Sequence, residues 1–586
     1  MKIKNKLLLV FFIVCLLVSF SCKQPKPEWL ELFLVEPDLN VFPANNGLVF
    51  SIRDSFPSAD SYNVYWKQGI INAKELKVSG TKITGESIHG VIKGLTDGEI
   101  YSVLVTAVKD EYEDIDSDVA TGIPGKKKST KRGVSYNFNF PRPNNSDSGS
   151  GHNNSLIAAR DMELLGKGTT WFYDWSTNLN STIGPLAAQY NLSFMPMIWG
   201  AGRGADAFNN YLNGGQLNAL NRVRDYVNAN PGIKYLLAYN EPNFVEEANM
   251  TPTQAAQVWP ALVTRARELN LKIISPAMNY GTMPPYGNPT LWLEEFFGTD
   301  GHPGFDNVSL DEIEGVAIHL YNDYGNNVRT FIDRFRKFEK PIWMTEWCAW
   351  ADRSGVYLNS AQWQIDFLSQ SGIYMELDPA VARYAWFIPK GGRFDSELGF
   401  PYNKLLTAPP TPGLSELTAL GIVFVNMSTL DSALHYITGE VIPAKDFSNS
   451  NLSELAPSAS APYVINHKGW EDGVRFRPTT DTGENASILD IVFFAAGNNP
   501  NNMWVEYQVA VKETRDYTLS LRYNASQDMN FQITVNRLSP QNITIEQSAG
   551  WAVYTNTLNL PAGKHTIRIR KTTSSGECAI NWLKVE

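Results

Sequence analysis

Between residues 133 and 430 the chain repeats one pattern eight times: a short apolar run, in most cases followed by a longer helical stretch. The runs are GVSYNF (133–138), TTWFYDW (169–175), LSFMPMIW (192–199), KYLLAYN (234–240), KIISPAMN (272–279), GVAIHLY (315–321), PIWMTEW (341–347) and ARYAWFI (382–388). Runs this short and this apolar predict strands covered on both faces, the habit of a parallel sheet flanked by helices. One helix announces its own start. Thr251-Pro252-Thr253-Gln254 is a capping box with proline in the first turn, and Ala255, Val258, Trp259, Leu262 and Ala266 then fall on one face. Eight strand–helix units predict a (β/α)8 barrel. The rival, an open doubly wound sheet, would want a Gly-rich phosphate loop after its first strand, and none is there.

The flanks read differently. Residues 28–124 alternate apolar and polar at a period near two, broken by Gly, Asp and Pro, which predicts a β-sandwich. TGIPGKKKSTKRG (121–133) reads as a linker centred on 125–132, with its basic cluster expected in solvent. From 437 to 586 alternation returns in MWVEYQVAV, DYTLSLRYN, NFQITVN, GKHTIRIRK and CAINWLKVE, which predicts a second β-sandwich. A chain of 586 residues is too long for one core, in keeping with three domains.

At the start, three lysines precede an apolar run from Leu7 to Phe20, too short for a comfortable membrane span. It ends in Val18-Ser19-Phe20-Ser21-Cys22, which resembles a bacterial lipobox. The expectation is a signal peptide over 1–21, lipidation of Cys22, a short tether over 22–27, and an outer-membrane or cell-surface lipoprotein. The membrane would then be a partner through the lipid alone. Besides Cys15 and Cys22 only Cys348 and Cys578 remain, and with seven scattered His they form neither a disulfide framework nor metal-type spacing. Neither a metal nor a cofactor is expected. A net charge of −10 without a long basic run argues against nucleic acid. Nothing identifies an oligomer, so a monomer is expected.

In a barrel, polar residues at the C-terminal strand ends face a common site. Collecting them here gives two carboxylates, Glu241 and Glu346, with Asn240, Asn279, His319 and Tyr321. The aromatic residues Tyr136, Tyr173, Trp175, Trp199 and Trp386 join them. Met195, Met197 and Met344 read as packing and Cys348 as a small buried residue. Glu246 and Glu247 read as solvated loop acids, because nothing in the sequence pairs with them. Two carboxylates at strand ends suit glycoside cleavage: one protonates the leaving oxygen, and the other attacks the anomeric carbon or activates water. Aromatic faces stack on sugars, and amides and histidine bind hydroxyls.

The motifs sharpen this. KRGVSYNF, TTWFYDWS, LSFMPMIWGAG, YLLAYNEPN, TPTQAAQVWP, IISPAMNY, VAIHLYN and KPIWMTEW, in this order over most of 131–400, together resemble glycoside hydrolase family 128, a family of endo-acting β-1,3-glucanases. The resemblance implies Glu241 as general acid/base, Glu346 as nucleophile, Asn240 at the sugar 2-hydroxyl, and His319 and Tyr321 orienting the carboxylates or the sugar. YNVYWKQG with IKGLTDGEIYSVLVTAVKD, including Leu95 and Tyr101, resembles a fibronectin type III domain. VIPAKDFS, AGWAVYTNTLNLPAGKHTIRIR and AINWLKVE resemble a family 6 carbohydrate-binding module, which implies sugar contacts at Trp551 and Asn581, with Phe494 as a candidate second aromatic. Lys445 stands where that family often has a calcium-binding Glu, so calcium is not expected. The reading is a retaining endo-glycosidase acting on a β-1,3-glucan polysaccharide. Its rivals are a glycosidase of the same clan acting on another β-glucan or an algal galactan, and a non-catalytic glycan-capture lipoprotein.

Overall fold

The computed structural model describes residues 38–53, 59–109, 112–138, 154–322, 324–349, 360–390, 402–407, 414–454, 473–494 and 503–586. The expected signal peptide, Cys22 and the tether lie outside the described residues. Contacts divide the chain after Pro124.

The first unit is built of two sheets. One holds Asp38–Ala44, Gly47–Arg53 and His89–Lys93; the other is centred on Ser61–Gln68 and Tyr101–Lys109. Leu48, Phe50, Val64, Val103 and Val105 alternate inward and are fully buried between them. Tyr101 is buried, and its hydroxyl accepts a hydrogen bond from the Thr96 N–H at 3.1 Å, which pins the preceding turn.

The second unit begins with eight parallel strands: β1 Arg132–Ser135, β2 Trp171–Tyr173, β3 Ser193–Phe194, β4 Tyr235–Leu237, β5 Lys272–Ile274, β6 Ile313–Tyr321, β7 Ile342–Cys348 and β8 Val381–Phe387. They form one curled sheet in the order β3-β2-β1-β8-β7-β6-β5-β4. Its two edges meet at the parallel bridge Met197–Leu237, where Ile198 N–H donates to Leu237 O at 2.9 Å. A helix follows each strand: α1 Asn154–Leu165, α2 Ile183–Gln189, α3 Gln216–Ala229, α4 Pro252–Glu268, α5 Pro289–Phe297, α6 Gly325–Phe335, α7 Ala361–Leu377 and α8 Ala419–Asn426. The capping box at the start of α4 forms with both reciprocal bonds, Gln254 N to Thr251 Oγ1 at 3.2 Å and Thr251 N to Gln254 Oε1 at 2.9 Å.

Strand alternation separates an inner from an outer core. Trp171, Tyr173, Met195, Met197, Leu237, Ile274, Ala317, Trp343 and Ala385 pack together inside the curl. Val134, Phe172, Ile318, Met344 and Trp386 pack outward against the helices. The floor is filled by Trp171 and Trp343, and glycine makes room for both. A Cβ on Gly133 would lie 2.4 Å from the Trp171 indole, and one on Gly315 would lie 2.7 Å from that of Trp343.

Residues beyond 436 form two stacked sheets. One contains Trp504–Val511, Met529–Val535, Gln541–Ile545 and Gly563–Lys571; the other contains Arg475–Pro478, Leu489–Phe493, Arg515–Ala525, Ala552–Leu560 and Cys578–Val585. They do not stand apart from the barrel-like sheet, because one hydrophobic core runs through both. Helix α7 explains why. Every residue from Gln364 to Met375 is buried, so no face of this stretch is left to water. Trp347 of β7 covers one side at Phe367 and Ser371. The sandwich covers another, where Arg475 pairs with Asp366 at 2.9 Å and Phe476 N–H donates to Ser369 Oγ at 3.0 Å.

The basic linker corrects its sequence reading. It is held against the protein rather than left in solvent. Lys131 Nζ donates to the carbonyls of Met375, Glu376 and Asp378 at the C-terminal end of α7, at 2.8–3.0 Å, where the helix presents unpaired carbonyls. Lys128 reaches Gly166 O at 2.6 Å, and Lys126 pairs with Asp446. Beside them Arg132 and Glu376 form a buried ion pair at 2.8 Å, shared with Tyr384.

Two outcomes test this packing. Glu376→Ala strands the Arg132 charge and should cost about 3–5 kcal/mol in urea unfolding. Deleting 437–586 exposes the outer face of α7, so residues 125–436 alone should show no cooperative thermal transition by circular dichroism. A sharp melt near that of the full chain would mean that the sandwich is detachable.

Candidate active site

At the C-terminal ends of the eight strands, β4, β6 and β7 bring Glu241, His319 and Glu346 together. One carboxylate oxygen of each Glu and one ring nitrogen of His319 lie within 4.8 Å of one another, and all three residues are buried. His319 Nδ1 is 2.7 Å from Glu241 Oε1 and 3.4 Å from Glu346 Oε2.

Local irregularities aim these groups. Along β7 the inward residue is Trp343, so strict alternation would send Glu346 outward with Met344. The register of β7 with β6 slips between Met344 and Glu346, and its register with β8 slips between Met344 and Trp347. That extra residue turns the Glu346 carboxylate inward and sends Trp347 out to α7. Glu241 and Trp175 have φ of 45° and 60°, a left-handed conformation unusual for either type. Such backbone costs ~1–3 kcal/mol per residue and gathers where a site needs a side chain re-aimed.

The two carboxylates have different neighbours. Glu346 receives three donors: Tyr173 Oη at 2.9 Å, Trp175 Nε1 at 2.7 Å, and the Tyr321 hydroxyl. Glu241 Oε1 receives Asn279 Nδ2 at 3.0 Å and faces His319. Burial pushes the Glu346 carboxyl up and His319 draws it back; the Glu241 charge adds to the rise, the Tyr321 and Trp175 bonds oppose it, and the net is upward. For His319 burial opposes the imidazolium, but Glu346 and Glu241 outweigh it and hold the imidazole above its usual value. Burial and the Glu346 charge raise both tyrosines well above the ordinary phenol, so each stays a donor. Glu241, His319 and Glu346 are also the one grouping of metal-ligating side chains among the described residues. Donors from Tyr, Trp and Asn converge on its oxygens, as anionic carboxylates require.

Tyr173, Trp175, Asn279, His319 and Tyr321 all touch a carboxylate. Trp199 is half-buried and lines a groove of about 850 Å³ together with Trp175, Arg203 and Tyr211. Asn240 is buried, with its amide beside Glu247. Cys348 is fully buried.

Other expectations are corrected. Trp386 is not at the rim: it is fully buried against Trp347, Phe367 and Phe424, and its indole N–H donates to Asn403 O at 2.8 Å. Alternation from inward Ala385 makes Trp386 outward and the next residue, Phe387, inward. Phe387 is half-buried and meets Trp175 and Tyr321 edge-on, with centroids 6.0 and 5.2 Å apart. Counting parity from Ala385 would have found it. Tyr136 also points outward, to Asp161 at 3.0 Å. Glu247 is not a bland loop acid. It is half-buried, accepts from Asn240 Nδ2 at 3.3 Å, and is pushed up to about 7 by burial and by the charges of Glu241 and Glu346.

In the C-terminal sandwich, Asn581 is fully buried. Its amide is spent on Thr479, Ser487 and Asp490, at 2.6–3.1 Å, so it ties down the 479–490 segment and offers no free group to a sugar. Phe494 is buried beneath the Arg475 guanidinium, 3.8 Å from its ring. Trp551 remains half-exposed, beside Thr480.

Comparison with known proteins gives the class. Residues 151–424 match the family model described as "Glycosyl hydrolase catalytic core". A curated relative, alkali-sensitive linkage protein 1 of Schizosaccharomyces pombe, is 22% identical over 235 residues; this is 39% of the present chain, which spans 36% of that protein's length. Among solved structures, a GH128 (subgroup II) endo-β-1,3-glucanase from Pseudomonas viridiflava is 32% identical, with 51% of this chain and 98% of that one covered and a TM-score of 0.39. A GH128 (subgroup I) endo-β-1,3-glucanase from Amycolatopsis mediterranei, solved with laminaritriose, is 24% identical, with 47% and 93% covered and a TM-score of 0.31. The protein is a glycoside hydrolase. Its catalytic core is the segment that carries Glu241 and Glu346.

The hydrogen bonds to Glu346 make a pH prediction. Donors to a carboxylate favour its charged form, so removing one raises the pKa. Tyr321→Phe should move the acid limb of kcat/KM to higher pH by ~1–2 units and lower its plateau. An unmoved limb in the kinetic profile would mean that Tyr321 does not serve Glu346.

Proposed function

We propose that the protein is a retaining endo-β-1,3-glucanase of glycoside hydrolase family 128. The observation that carries the mechanism is the separation of the two carboxylates. An oxygen of each within 4.8 Å supports the closer spacing of retaining enzymes, roughly 5–5.5 Å between carboxyl groups, over the roughly 6.5–9.5 Å that inversion needs for its water.

The division of labour follows from the hydrogen bonds. Glu346, fixed by three donors, attacks the anomeric carbon. Glu241, hydrogen-bonded by Asn279 and facing His319, protonates the departing oxygen and then takes a proton from the water that releases the sugar. His319 lies between them, so its charge shifts toward whichever carboxylate is ionised at each half-reaction. Asn240 serves the sugar 2-hydroxyl, while Trp175, Trp199 and Phe387 offer rings to the sugar faces. The β-1,3-glucan substrate rests on the order and spacing of the family 128 motifs, and the solved relatives named above are endo-β-1,3-glucanases.

The flanking parts complete the proposal. The N-terminal sandwich is a fibronectin type III-like spacer, and Cys22 carries the lipid that holds the protein at the bacterial outer membrane or cell surface. The C-terminal sandwich is a carbohydrate-binding module whose sugar platform is Trp551, without Asn581 or Phe494.

The test is turnover and stereochemistry on laminarin. Wild type should release the β-anomer first by proton NMR and give a ladder of oligosaccharides. Glu346→Gln should abolish hydrolysis while keeping binding, and Glu241→Gln should cost on the order of 10²–10⁴ in rate. A first-formed α-anomer would exclude retention. Preferential cleavage of lichenan or agarose would move the substrate assignment elsewhere.

A further inference from the structure

The loop after β4 folds back over the strand end. Ala248 N–H donates to Asn240 O at 3.1 Å, and Met250 N–H donates to Pro242 O at 2.9 Å. This fold-back sets Glu247, six residues past Glu241, directly beside the Asn240 amide. Glu247 Oε2 accepts from Asn240 Nδ2 at 3.3 Å, and Oε1 lies 3.7 Å from Arg203, which projects from the loop after β3. The Glu247 side chain is 30% exposed, whereas Asn240 is 4% exposed.

The Asn240 amide is held in the orientation that leaves its oxygen unpaired. Its Oδ1 is buried and accepts no hydrogen bond from the described residues. A buried acceptor left unpaired costs about 1–3 kcal/mol. Turning the amide over would set that oxygen against Glu247 Oε2 instead, acceptor to acceptor. A carboxylate at 3.3 Å forbids it, because an ionised carboxylate only accepts, so it must meet Nδ2. The groups facing Glu247 are the carboxylates of Glu241 and Glu346, the His319 imidazole and Arg203, and they bring its titration near neutrality.

We infer that Glu247 is a positioning residue: it locks the Asn240 amide with Nδ2 outward, so that the second N–H of that group is presented as a donor to the sugar hydroxyl beside the nucleophile. The inference rests on the proposed glycosidase reading, in which Asn240 contacts the 2-hydroxyl. It adds that the contact has a fixed polarity, set by a carboxyl group that itself takes no part in bond cleavage. A carboxamide at position 247 replaces it as an acceptor, since its oxygen also accepts from Nδ2, but its own NH2 can meet Oδ1 in the turned-over state, so the rescue is incomplete. A methyl group offers no acceptor.

The experiment compares an activated aryl β-laminaribioside with the same compound lacking the 2-hydroxyl on the aryl-bearing ring. Glu247→Ala should lower kcat/KM for the first by roughly 10- to 100-fold, the worth of a hydrogen bond at a charged site, and leave the second within about threefold. Glu247→Gln should return the first compound to within a few fold of wild type, and its thermal melt checks that the fold is kept. Asn240→Ala should lose discrimination to the same degree, and the double variant should lose no more. Equal losses on both compounds, or a Gln variant no better than Ala, would overturn the positioning role. If Asn240→Ala loses discrimination and Glu247→Ala does not, this inference alone fails. If Asn240→Ala changes neither compound, the assignment of Asn240 to the 2-hydroxyl falls with it.

Discussion

Two carboxylates with oxygens inside 4.8 Å, both buried, repel each other strongly unless something answers their charge. His319 is that answer. It sits between them, fully buried, with its Nδ1 in reach of both. Around it, each oxygen that faces protein is met by a donor on a rigid ring or amide. The donors arrive from β2, from β6 and from the residues just past β2 and β5, so the pair is tolerable only if the whole curl of strands holds its register. This links the fold to the site: the sheet supplies positions, and the donor set makes two costly buried charges tolerable side by side.

The eight strands were legible because each is a short apolar run, and the two glutamates were legible because each closes such a run. What the sequence could not give was parity. Glu346 faces inward through a bulge in β7, and no residue type announces that bulge. Glu241 and Trp175 take left-handed backbone that favours glycine, and both are large. Trp386 was misread for the opposite reason: from Tyr384 to Phe387 strand β8 runs in unbroken register with β1, and simple counting from Ala385 selects Phe387. Glu247 was invisible because its neighbour Asn240 is brought to it by a fold-back of the loop, not by helical or strand spacing.

The C-terminal sandwich illustrates a different limit. Its strands were readable from alternation, yet two of the three sugar contacts implied by resemblance fail on burial. Asn581 and Phe494 occupy positions where the polypeptide already fills the space and satisfies the polar groups. A motif carries residue types, but exposure is decided by the loops around it. The basic linker makes the same point. Its lysines look solvated in isolation, and only the unpaired carbonyls at the end of α7 reveal why Lys131 is there.

Helix α7 is where these parts become one body. A helix buried throughout its central turns cannot belong to the barrel-like sheet alone, since the side that carries Asp366 and Ser369 would then meet water. The sandwich covers that side and ties Asp366 and Ser369 to the first strand of the covering sheet. Trp347, the residue after Glu346, packs against Phe367 of this helix. A rotation of α7 would therefore press on the bulge that turns Glu346 inward. Through α7 the sandwich packs against the segment that carries Glu346, whether or not its own half-exposed tryptophan ever meets a glycan.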